Sequence, residues 1–81
     1  MPIPEDADTD KLAETALAIL WLSTYTDSGS TRAWKSLDWD VTELLFQKGW
    51  IDDPKSKAKS VLLTEDGRTL AKRFFDQYFG K

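Results

Sequence analysis

Eighty-one residues carrying a net charge of −3 make one small domain with a single small core. The absence of cysteine and histidine excludes disulfides, thiolate metal sites and the commonest general base. The longest unbroken apolar run, Ala16 to Leu22, falls far short of the ~20 residues that a membrane-spanning helix needs, so no membrane partner is expected.

The N-terminus, Met-Pro-Ile-Pro-Glu-Asp-Ala-Asp, is acidic where a secretory leader would be basic, and no asparagine offers a glycosylation site. A cytoplasmic protein is the expectation. Residues 1–7 carry two prolines without apolar periodicity and read as a disordered tail, leaving 8–81 as the domain. Asp8 or Thr9 can cap a first helix, in which Leu12, Ala13, Ala16, Leu17, Leu20 and Trp21 recur at helical spacing up to about Ser23 or Thr24. Thr26-Asp27-Ser28-Gly29-Ser30 reads as a loop by composition. Thr31 to Lys35 is too short for a helix and is expected to be a strand, the alternative being an irregular linker whose Trp34 plugs the core.

Asp38 can cap a second helix whose stripe is Val41, Leu44 and Leu45, with Asp40 and Glu43 in its early turns. Gly49 is placed to close that helix in the left-handed conformation. Trp50-Ile51 suits a strand, Asp52-Asp53-Pro54 stops it, and Val61-Leu62-Leu63 resumes extended structure. The two runs are expected to pair antiparallel across the loop between them. Thr64 then caps a third helix, from Glu65 to about Phe79. Gly67, Leu70, Ala71, Phe74 and Tyr78 share its inward face; Phe75 and Phe79 form a separate flank.

The run Leu44 to Ile51, followed by Val61 to Arg68, resembles the second half of winged-helix regulators. There a helix ends in a Lys-Gly turn, a wing follows, and a Leu-Thr-acid-x-Gly sequence opens the last helix. The resemblance implies an α+β, winged-helix-like fold in the order α-β-α-β-β-α, with a small antiparallel sheet and a wing loop. The combination Arg32-Ala33-Trp34-Lys35, Asp38-Trp39-Asp40 and Asp53 to Val61 is similar to a family of small uncharacterised bacterial proteins known only as a domain of unknown function. That resemblance covers most of the chain and brings no activity with it.

Charge divides along the chain. Residues 1–53 hold eleven acids and four bases, net −7, whereas 54–81 hold three acids and seven bases, net +4. Lys55, Lys57 and Lys59 alternate on the wing loop, and with Arg32 and Lys35 they are the candidate nucleic-acid contacts. The same lysines equally suit a solvated turn that discourages strand-to-strand aggregation. The helix that would enter a major groove opens Asp38-Trp39-Asp40, with Glu43 a turn later, where recognition helices offer neutral or positive groups.

Trp34 and Trp39 are candidate exposed anchors, unless the core claims both rings; Phe75 and Phe79 are the other candidates for a protein-interaction surface. No serine or threonine has a histidine partner, and Asp38-x-Asp40 fails as a calcium loop because Glu43 and Gly49 stand where glycine and the bidentate glutamate belong. Neither a cofactor nor a metal is expected. The sequence therefore points to a non-enzymatic protein-interaction module that binds a protein partner or weakly associates with itself. A DNA-binding regulator using the basic wing is the alternative.

Overall fold

Helix α1, Thr9–Leu20, opens the fold in the computed structural model of the chain, which describes residues 3–34, 39–55 and 60–81. Asp8 caps it: its carboxylate accepts from the Lys11 amide at 3.0 Å and satisfies one of the orphan donors of the first turn. Ala13, Ala16, Leu17 and Leu20 line the buried face. A single 3₁₀ turn, Trp21–Ser23, tightens the end of the helix. The Ser23 and Thr24 hydroxyls donate to the carbonyls of Leu20 and Trp21, at 3.2 and 2.8 Å, and complete the termination.

Two strands follow at once, β1 (Thr24–Asp27) and β2 (Ser30–Trp34), joined by a two-residue turn. Ser28 and Gly29 both have positive φ, 52° and 83°, as a tight hairpin that matches the twist of its strands requires. This corrects the loop expected at 26–30. Thr-Tyr-Thr-Asp is good strand sequence, but the adjoining Asp-Ser-Gly turn chemistry draws its second half, Thr26-Asp27, into an apparent loop.

Helix α2, Trp39–Gln47, ends as expected at Gly49, whose φ is 77°. The Gly49 amide donates to Phe46 at 2.9 Å and the Trp50 amide to Leu45 at 3.1 Å, the paired bonds of a Schellman motif. Its expected cap, Asp38, lies outside the described residues.

Trp50-Ile51 contributes one antiparallel bridge, Ile51 to Leu63, rather than a full strand. Flanking bonds from the Asp52 amide to Leu62 and from the Thr64 amide to Trp50 hold it to β3 (Ser60–Leu62). β3 pairs antiparallel with β2, so the sheet runs β1-β2-β3 and the helices and strands follow the order α-β-β-α-β-α. The α+β class and the small antiparallel sheet are as expected; the second long strand falls before α2 instead of after it.

Helix α3, Glu65–Phe79, lies chiefly against α1. Thr64 caps it by accepting from the Gly67 amide at 3.0 Å while donating to the Gly49 carbonyl at 2.7 Å, which ties the end of α2 to the start of α3. The core is built from Ala13, Leu17 and Leu20 of α1, Leu45 of α2, Ala71 of α3, and Ala33, Ile51, Val61 and Leu63 from the sheet side. Trp50 and Phe74 close one side of it with rings 5.6 Å apart. Where these buried residues face the helices, the opposite face of the sheet carries Tyr25, Arg32 and Leu62 in one cross-strand row.

Candidate protein-interaction surface

Helix α3 is wider in apolar residues than one buried stripe requires, and the excess decides where the surface lies. Gly67 and Ala71 are buried, Leu70 and Phe74 lie against the core, and Phe75 and Phe79 flank them with ring centroids 5.6 Å apart. Phe75 is half-buried; Phe79 keeps 47% of its surface in solvent. Across from them, the last turn of α1 and the 3₁₀ turn present Ile19 and Leu22. The four side chains line an entirely apolar cleft of about 310 Å³.

Leu22 is 71% exposed and also borders a second cleft, of about 490 Å³, with Ser23, Thr24, Tyr25 and Trp34. There Trp34, 53% exposed, leans on Tyr25 with centroids 5.7 Å apart. One apolar strip therefore runs from the end of α3, over the corner at Leu22, to the open face of the β1–β2 hairpin. Three of the four expected interaction residues, Trp34, Phe75 and Phe79, lie on it. The fourth, Trp39, is exposed on the first turn of α2 and lines neither cleft.

Ile19, Leu22 and Tyr25 are the residues that reading the sequence missed. The signal for the first two was present: from Ala16 to Leu22 the chain is apolar on every face of the helix, more than one inward stripe can absorb. Tyr25 falls between the helix end expected at Ser23 or Thr24 and the loop expected at 26–30, so no expected element presented it.

Two of the five basic candidates, Arg32 and Lys55, are among the described residues. Arg32 is half-buried and spends two donors on Ser60, Nε to the hydroxyl at 2.9 Å and Nη2 to the carbonyl at 3.2 Å, clamping β2 to β3. Lys55 is exposed just after Pro54, where its amide is held by the Asp53 carboxylate at 2.9 Å. Lys35, Lys57 and Lys59 lie outside the described residues.

Among the described residues no group of three or more acidic side chains is arranged to hold a metal ion. One titratable contact is distinctive. The Tyr78 hydroxyl donates to Glu14 Oε1 at 2.5 Å, clamping α3 to α1. That bond, with lesser contributions from desolvation and the carboxylates of Glu14 and Asp8, raises the phenol above its ordinary value of 10.0. No helix among the described residues is long and apolar enough to cross a membrane.

Comparison with known proteins agrees with the family resemblance of the sequence. The model of a domain of unknown function, DUF6429, matches residues 8–81. The "Uncharacterized protein y4hR" of Sinorhizobium fredii (strain NBRC 101917 / NGR234) is 36% identical over 74 residues, covering 91% of this chain and 96% of that relative. No solved structure matches. A family model spanning nearly the whole chain, together with a relative alike from end to end, shows that the chain belongs to the DUF6429 family of small bacterial proteins.

Proposed function

We propose that this chain is a protein-interaction module without catalytic chemistry of its own, and that it associates with a second copy through the strip from Phe79 to Trp34. The observation that carries this reading is Leu22, a 71% exposed leucine joining two apolar clefts. An isolated exposed leucine calls for no explanation, but a continuous strip of six large side chains does. At ~200 Å² for each large side chain, their exposed portions amount to on the order of 500 Å² per chain. Two such faces bury about 1,000 Å² together, the lower bound for a specific interface, so the association is weak and concentration-dependent.

Sedimentation velocity from micromolar to millimolar protein tests this, with a Leu22→Glu, Phe79→Glu variant beside the parent. Both positions are exposed, so the variant should fold and stay monomeric while the parent shifts toward a dimer. A parent that remains monomeric throughout overturns association between copies, and a double variant that unfolds shows that the strip belongs to the core instead.

A further inference from the structure

The outer edge of β1 is unpaired among the described residues, and the strip runs along it. We propose that two copies join edge to edge along β1, antiparallel about a two-fold axis at Tyr25, so that two three-stranded sheets become one of six. This rests on the self-association proposed above and specifies its geometry.

The hydrogen-bond phase of the sheet shows which groups of β1 are available. The Leu63 amide donates to the Thr31 carbonyl at 2.9 Å, so Thr31 turns its backbone toward β3. Thr26, the β1 partner of Thr31, therefore points its own N–H and C=O away from β2, and by alternation so does Thr24. The Thr24 amide is already spent on the Trp21 carbonyl, which leaves the Thr26 N–H as donor and the Thr24 C=O as acceptor. Two copies related by a two-fold axis match these groups reciprocally: each Thr26 N–H meets the partner chain's Thr24 C=O.

The register that forms both bonds sets Tyr25 opposite its own copy in a non-hydrogen-bonded pair, where side chains come closest. It also keeps the two backbones at position 27 about four residues, or ~13 Å, apart. Strand edges in monomeric proteins are commonly blunted by shortness, charge, proline or a bulge; β1 is four residues long and ends in an aspartate, but has no lysine, proline or bulge. Its neighbours on the open face are the apolar Tyr25, Trp34 and Leu22. A second copy therefore finds both its backbone partners and its apolar cover along the same edge.

The chain lacks cysteine, so a single introduced thiol reports the register directly. In an antiparallel non-hydrogen-bonded pair the Cα atoms lie ~4.5 Å apart, within disulfide range. Tyr25→Cys should give a disulfide dimer under mild oxidation and Asp27→Cys should not. Thr26→Pro removes the outward donor without touching the β1–β2 ladder; it should leave the circular dichroism of the monomer intact and weaken the dimer by at least ~10-fold.

A parent that dimerises by sedimentation while Tyr25→Cys stays uncrosslinked, or while Thr26→Pro dimerises normally, overturns the edge pairing and leaves association through the strip standing. Equal crosslinking at residues 25 and 27 overturns this register. A monomeric parent with no crosslink overturns both readings.

Discussion

Two glycines do different work, and substitution separates them. Gly49 has φ of +77° and open space where a Cβ would go, so only its backbone conformation demands glycine. Gly49→Val should cost more than ~1 kcal/mol in chemical denaturation, and Gly49→Asn clearly less, because asparagine tolerates the left-handed region. Gly67 is helical, and a Cβ there would collide with the Trp50 carbonyl oxygen. Gly67→Ala gains ~1 kcal/mol of helix propensity yet should still lose about 2 kcal/mol net, because backbone must move. Tyr78 gives the pH-dependent case. A phenol whose folded pKa is raised contributes stability that is complete below the unfolded value near 10.0 and lost as pH climbs through the folded one. Tyr78→Phe should therefore flatten the fall in stability above about pH 10, measured as the parent-minus-variant difference across alkaline titration.

At the scale of elements, a cap and an ion pair each join helices: Thr64 ties α3 to the end of α2, and Lys48 Nζ, just past α2, reaches Asp10 of α1 at 2.6 Å. The Thr64 hydroxyl accepts from α3 and donates to the Gly49 carbonyl just past α2, so Thr64→Ala removes two bonds at once. It should cost about 1–2 kcal/mol, most of it restored by Thr64→Ser, by thermal melts of both variants. By contrast, the exposed Lys72–Asp76 pair, 2.9 Å apart one turn along α3, should be worth no more than ~0.5 kcal/mol and should vanish in salt. The helices and their stops were legible in the sequence because each signal is local: Asp8, Gly49 and Thr64 act on amides within a few residues. The β1–β2 hairpin was not. Its turn residues could be read, but whether Thr24–Asp27 pairs or stays a loop depends on β3 lying beyond β2, and β3 is about thirty residues away.

For the molecule as a whole, charge and apolar surface favour different partners. The acidic first half and the tethering of Arg32 to Ser60 weigh against a continuous anion-binding face. Duplex DNA at low salt should show no mobility shift with this protein; a shift that decays with salt at ~0.9 log units per phosphate contact would favour the basic loop instead. Local periodicity and turn chemistry were enough for the α+β class, the three helices, the caps of α1 and α3, the glycine at the end of α2 and the surplus of aromatic residues on α3. Periodicity could mark Phe75 and Phe79 as outside the main stripe, but not say whether another element covers them. Tertiary structure decided that. The 3₁₀ turn sets Leu22 outward between the helix pair and the hairpin, and so joins Phe75 and Phe79 to Tyr25 and Trp34, more than forty residues away in sequence, as one surface. Which apolar side chains a fold leaves in water depends on how its elements meet, and no window of sequence contains that information.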